Sequence, residues 1–173
     1  EQAQDGTLLL DEVTEMPMGL QAKLLRVLQE REVERVGGKK PVPLNIRIIA
    51  TSNRDMAEAV AKGVFREDLY YRLNVFPIAI PALRQRPDDI VAIARHFVAE
   101  HGGRFGRTGM SLSPDAEAAL SAHAWPGNIR ELENVNQRAL IMAPGNTIGP
   151  EALNLLARPA ESSPQPARPV VEA

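Results

Sequence analysis

The sequence predicts an α/β fold in which a partial parallel sheet is followed by a small, all-helical part. Two observations point to the sheet. Thr7–Leu10 is an apolar run that follows Gly6 and ends abruptly in two carboxylates, Asp11 and Glu12. Residues 46–50 form a second apolar run, which ends in the polar triplet Thr51-Ser52-Asn53. Short runs bounded in this way read as strands buried on both faces, as in parallel sheets. The third observation is the change of texture at Pro81, beyond which helical patterns are separated by Pro and Gly.

Composition narrows the field. The 173 residues suffice for one ordinary domain, or for one and a half small ones. Hydrophobic residues make up 44% and aromatics only 4%, so the chain can bury a core and that core must be aliphatic. A net charge of −2 gives no electrostatic reason for non-specific DNA binding. Cysteine is absent, which excludes disulfides and thiolate metal sites and suits a reducing cytoplasm. His96, His101 and His123 lack zinc-ligand spacing and read as surface or capping residues. No apolar run approaches the roughly 20 residues that span a bilayer, and no signal peptide is visible. A soluble, cytoplasmic chain is expected.

Taken in order, the elements follow from local pattern. Residues 20–29 are expected to be helical, with Leu20, Leu24 and Leu28 forming one apolar stripe. Alternating charge in residues 32–36, followed by Gly37-Gly38, reads as a hairpin or protruding loop. Asn53 stands at a strand's carboxyl end, where it can orient water or a phosphate oxygen or cap the short helix at residues 56–62. The charged, aromatic segment at residues 65–74 precedes a third apolar run at residues 75–80. If that segment were one helix, Arg66 and Arg72 would lie about 120° apart around its axis. Asp88 and Asp89 open a helix to about residue 100, with Ile90, Ile93, Ala94, Phe97 and Val98 on its apolar face. Residues 102–109 read as a loop. Ser113 then caps a helix whose first residue is Pro114. Asn128 is expected to cap the next helix, with Glu131 completing a capping-box variant and Leu132, Val135 and Ala139 facing inward. A last short helix runs to about residue 156, and the Pro-rich composition of residues 158–173 reads as a linker or tail.

With these segments in order, residues 5–157 resemble the AAA+ ATPase domain of bacterial sigma-54-dependent transcriptional activators. Gly6-Thr7-Leu8-Leu9-Leu10-Asp11-Glu12 looks like the family's Walker B motif. Leu24-Leu25-Arg26-Val27-Leu28-Gln29 through Glu34-Arg35-Val36-Gly37 is similar to the helix and second surface loop before sensor I. Ala50-Thr51-Ser52-Asn53-Arg54-Asp55 resembles sensor I, and residues 65–73, around Arg66 and Arg72, resemble the arginine-finger segment. Trp125-Pro126-Gly127-Asn128-Ile129-Arg130-Glu131-Leu132 resembles sensor II. The last two motifs are the most specific.

The resemblance implies a partial parallel-sheet core of the P-loop NTPase type in residues 1–82, a helical lid subdomain in residues 83–157 and a disordered linker in residues 158–173. It implies ATP and Mg²⁺ as cofactors. Asp11 would support the metal, Glu12 would polarise the attacking water, and Asn53 would sense the γ-phosphate. Arg66 and Arg72 would reach into the site of an adjacent subunit, and Arg130 would contact the nucleotide of its own subunit. The implied assembly is a ring, typically a hexamer, that remodels the closed complex of sigma-54 RNA polymerase.

Other expected parts do not occur in the sequence. The phosphate-binding loop G-x-x-x-x-G-K-[ST] is missing, because Gly37-Gly38-Lys39-Lys40 lacks its first Gly and its final hydroxyl residue. The polymerase-contacting Gly-Ala-Phe-Thr-Gly-Ala loop and any receiver or sensory domain would lie before residue 1. A helix-turn-helix domain binding enhancer DNA would lie after the tail. The chain is therefore expected to be a fragment that neither binds ATP well nor hydrolyses it alone. Two alternatives stay open at this stage: another AAA+ machine, or a non-catalytic helical interaction module.

Overall fold

The computed structural model describes residues 2–35, 37, 38 and 40–155. Val36 and Lys39 of the expected hairpin tip, and the tail expected to be a linker, lie outside the described residues. The chain divides into two compact units, Glu1–Ala79 and Ile80–Ala173.

In the first unit, β1 (Thr7–Leu10) pairs in parallel with β4 (Arg47–Ala50), with Leu10 opposite Ala50. Between them come α1 (Met18–Glu30) and an antiparallel hairpin of β2 (Glu32–Glu34) and β3 (Pro41–Pro43). Helix α1 ends where Arg31 adopts left-handed backbone (φ 55°), and the chain turns directly into the hairpin. Two short helices follow, α2 (Met56–Ala61) and α3 (Glu67–Leu73). Ala59 of α2, Leu69 of α3 and Phe65 between them close a small core with Val13 and Leu25, against which Leu10 and Ala50 also pack.

Two expectations are corrected here. Neither strand is buried on both faces: Leu9 is 58% and Ile49 46% exposed, because the described helices cover only the face that carries Leu10 and Ala50. Leu20 is half exposed, and the buried line of α1 runs instead through Gln21 and Leu25, with Leu24 and Leu28 partly buried beside it. Residues 75–79 form no strand, and Phe76 is 82% exposed.

The second unit is a helical assembly around one core. Helix α4 (Pro87–Arg104) packs on α5 (Pro114–Ala122) and α6 (Asn128–Met142), and α7 (Pro150–Leu153) closes the end. A two-residue parallel bridge, β5 (Ser111–Leu112) with β6 (Thr147–Ile148), ties the loops together and has no signature in the sequence. Ile90, Ala94 and Val98 of α4 meet Leu132, Ala139 and Leu140 of α6, as the 3.6-residue pattern requires. The expected loop at residues 102–109 begins late, since α4 continues through Arg104. Gly102 lets the following loop fold back onto the helix, because a Cβ there would stand 2.8 Å from the Arg107 carbonyl oxygen.

His101 is not a surface residue. It is 4% exposed, its Nε2 lies 3.1 Å from Glu133 Oε1, and its ring stacks on Phe97. Arg107 binds the end of α6, with Nη1 donating to the carbonyls of Leu140 and Ala143 and Nη2 to that of Gly145. A guanidinium at this position satisfies carbonyls left open at a helix C-terminus and complements its partial negative charge. Ser113 caps α5 as its type predicts, accepting from the amide of Ala116.

Candidate functional site

The carboxyl ends of β1 and β4 leave the sheet side by side and are laced together. Backbone bonds continue past both strand ends, with the Thr51 amide donating to the Leu10 carbonyl (2.9 Å) and the Val13 amide to that of Thr51 (3.0 Å). Glu12 bridges the two bonds in left-handed backbone, φ 52° and ψ 49°. The Thr51 hydroxyl donates to Asp11 Oδ1 at 2.5 Å and accepts the Glu12 amide at 3.2 Å. One turn on, the hydroxyls of Thr14 and Ser52 meet at 3.1 Å, and Arg54 pairs with Glu15. The Asp11 carboxylate and the Glu12 main chain are thus held at the carboxyl end of a parallel sheet, where α/β proteins place ligands.

Thr51 has two partners through one oxygen, so its loss is measurable. Thr51→Val keeps the shape and removes both bonds, and is expected to destabilise the first unit by about 1–2 kcal/mol in urea unfolding. An unchanged midpoint would show that neither bond contributes.

Among the described residues, no group of three or more His, Cys, Asp or Glu side chains gathers as a metal cage. The donor set at the strand ends is one carboxylate, Asp11, with Glu12 beside it. That set fits Mg²⁺, which keeps several waters and is bound through one or two carboxylates plus substrate phosphates.

Asn53 is exposed and does not cap α2. Asp55 does, accepting the amide of Glu58 at 3.0 Å, because it directly precedes the first helical residue. Asn53 remains at the strand end, two residues beyond Thr51.

The arginine segment is not one helix. Arg66 precedes α3 in extended backbone (φ −74°, ψ 133°), so the 120° separation from Arg72 does not apply. Its guanidinium forks onto Asp68, with Nε to Oδ1 at 2.9 Å and Nη2 to Oδ2 at 2.6 Å. That hydrogen-bonded pairing holds the Asp68 carboxyl below the usual carboxylate range and raises Arg66. Arg72, in the last turn of α3, donates from Nη2 to the Leu28 carbonyl and lines a cleft of about 300 Å³ with Leu28, Ile48 and Val75. No hydrogen bond or ion pair joins either arginine to Asp11 or Glu12.

Residues 1–79 match the sigma-54 interaction domain and residues 84–169 match the AAA+ ATPase lid domain. The chain belongs to the AAA+ domains of sigma-54-dependent activators. It is 57% identical to the response regulator protein FleR of Pseudomonas aeruginosa over 157 residues, 91% of this chain and 33% of FleR. Identity to the transcriptional regulatory protein FlbD of Caulobacter vibrioides is 53% over 155 residues, 90% of this chain and 34% of FlbD. The solved structure of NtrX from Brucella abortus in complex with ATP superposes with a TM-score of 0.80 at 39% identity, covering 88% of this chain and 37% of that one. The chain spans about a third of the length of the curated relatives it matches.

In this AAA+ lid, Asn128 does not cap α6. Gly127 takes the N-cap position, and its amide donates to Glu131 Oε2 at 2.8 Å, so the expected box is half formed. Asn128 has left-handed backbone (φ 50°), and its Oδ1 accepts the amide of Leu83, a fully buried residue near the start of the lid. Arg130 lies exposed in the first turn of α6. Among the described residues of this AAA+ chain, no helix is long and apolar enough to cross a membrane.

Two residues that organise the sigma-54 interaction segment have no role of their own in the sequence pattern: Thr51, legible only as part of the polar triplet at the strand end, and Gln21 in α1. Gln21 had a visible signal, since it occupies a position of the α1 stripe that the 3.6 period assigns to the core.

Proposed function

We propose that this chain forms part of an ATP-hydrolysing unit that assembles as a ring, a hexamer in the simplest case, and remodels the closed complex of sigma-54 RNA polymerase. The observation that carries this reading is the bonded pair of strand ends, with Asp11 and Glu12 held at the carboxyl edge of a parallel sheet by Thr51. The family match and the ATP-bound NtrX neighbour support it. Enhancer DNA would be bound by another part of the parent protein.

In this reading Asp11 is the Walker B carboxylate that holds Mg²⁺, which when bound neutralises charge on the phosphates. Glu12 accepts hydrogen bonds from the attacking water and draws its proton, with a side chain that leaves the sheet through left-handed backbone. Asn53 presents a neutral amide to the γ-phosphate, able to donate to its oxygen or accept from the water. Arg66 and Arg72 act in trans on the neighbouring subunit's nucleotide, where a permanently charged fork stabilises charge on the transferred group. Arg130 contacts the nucleotide of its own subunit from α6. The hairpin β2–β3 corresponds to the second surface loop.

The test compares this chain with one extended to include a phosphate-binding loop. Turnover is expected only in the longer chain, with ATP bound but not hydrolysed after Glu12→Gln, a loss of about 10²-fold or more in kcat. Tight ATP binding by the present 173 residues would relocate the site. Full turnover with Glu12→Gln would overturn its role.

A further inference from the structure

Gln21 is a polar side chain with 0% exposure, set in the apolar stripe of α1. Both amide hydrogens and the amide oxygen are engaged. Nε2 donates to the carbonyls of Met16 at 2.7 Å and Val64 at 3.0 Å, and Oε1 accepts the amide of Arg66 at 2.9 Å. The assignment of amide nitrogen and oxygen is unambiguous, since two partners can only accept and the third can only donate. No other side chain of this size offers two donors and one acceptor in that fork.

The three partners span the unit. Met16 follows the single 3-10 turn, Val13–Glu15, that carries the chain away from Asp11 and Glu12. Val64 and Arg66 flank Phe65, which is 2% exposed and plugs the core beside Leu25 and Leu69. Gln21 therefore grips the main chain on both sides of a buried anchor, as a strand partner would. The backbone from which the Arg66 guanidinium departs is fixed before its side chain meets any ligand.

We propose that Gln21 is a positioning residue for Arg66, coupling the placement of that arginine to the segment that leaves the Asp11-Glu12 edge. The inference rests on the reading of Arg66 as a finger acting in trans. Gln21→Met keeps length and volume and leaves three backbone groups without their partner. Gln21→Glu keeps the acceptor for Arg66 and loses the donors.

The experiment uses the full-length protein that carries this chain. Both variants are expected to assemble and bind ATP with unchanged affinity. Their kcat is expected to fall about 10²-fold, the effect of displacing a reacting group by an ångström. Mixing Gln21→Met with Glu12→Gln subunits is expected to restore turnover. At half of the mixed interfaces an intact Asp11-Glu12 pair then faces an intact Arg66. A role confined to a subunit's own fold would not complement in this way, so loss of turnover without rescue overturns the proposal, as does unchanged kcat.

Arg66→Ala, run in parallel, separates the two levels. If Arg66→Ala retains full turnover, the finger reading itself fails. If it abolishes turnover while Gln21→Met does not, only the present inference fails. Should neither Gln21 variant fold, exchange of the Arg66 amide itself, resolved by NMR in the unmutated protein, decides, because it is the amide that Gln21 holds. Exchange slowed well below that of free chain supports the grip, and exchange at the free-chain rate overturns it.

Discussion

Replacing Arg66 with alanine in the assembled protein is expected to lower ATP turnover by roughly 10³-fold or more, with nucleotide affinity nearly unchanged. The size follows from chemistry that only a guanidinium supplies: a planar, permanently charged fork that meets phosphate oxygens with several donors. The local structure prepares this role. Arg66 stands before α3 in extended backbone, its amide bound to Gln21 and its side chain forked onto Asp68. An arginine at rest on its own chain's carboxylate is held in one rotamer, and exchanging that partner for phosphate costs little, because the pair is partly solvated and weak. Arg66→Lys keeps the charge and loses the fork, and most of the defect is expected to persist. Steady-state kinetics beside a nucleotide-binding titration check this. Retained kcat in Arg66→Ala would shift the finger role to Arg72, which rests on the carbonyl at Leu28.

Trp125→Ala is expected to destabilise the lid by about 3–5 kcal/mol. A unit of this size is stable by roughly 4–11 kcal/mol in total, so the variant stands at or near the edge of unfolding. Trp125 is the largest fully buried side chain, and its indole Nε1 donates to the Leu120 carbonyl at 2.8 Å. Its amide donates to His123 Nδ1, whose ring meets the indole edge-on at 4.5 Å between centroids. It does this from left-handed backbone (φ 50°), a conformation that costs a bulky residue and persists because the packing outweighs it. Loss of the indole loosens the turn Trp125-Pro126-Gly127 and with it the start of α6, where Arg130 sits. Urea unfolding of the full-length protein, followed by fluorescence of a probe placed in the lid, tests this. An unshifted lid transition would remove Trp125 from the core account. Trp125→Phe preserves most of the packing and leaves the Leu120 carbonyl with the His123 amide at 3.4 Å as its donor, so a smaller loss of about 1–2 kcal/mol is expected.

Much of the fold was legible in the chain because it is written in local, periodic signals. The strand Thr7–Leu10, the 3.6-residue stripe of α4 and the Ser113-Pro114 start of α5 all need only near neighbours to be recognised. Errors fell where a residue's partner is remote in sequence. Asn128 looks like a cap locally, but its oxygen is claimed by Leu83, 45 residues away. His101 looks like a solvated residue, yet α6 brings Glu133 and Gln137 to it. Asn53, expected as a cap or a phosphate contact, is the local exception: the cap went to Asp55 because only Asp55 directly precedes α2.

The family, the order of the motifs and the types of group available were readable from the chain alone: two carboxylates at a strand end, two arginines in a charged, aromatic segment, an aliphatic core. Those depend on residue identity and short spacing, which the chain carries explicitly. Packing in three dimensions was needed to see that Thr51, at the end of β4, ties down both Asp11 and Glu12 at the end of β1, and that a buried glutamine fixes the backbone of Arg66. The partners are 39 to 45 residues apart. Hydrogen bonds are short-ranged and directional, so whether they form depends on the packing that brings distant segments to within about 3 Å.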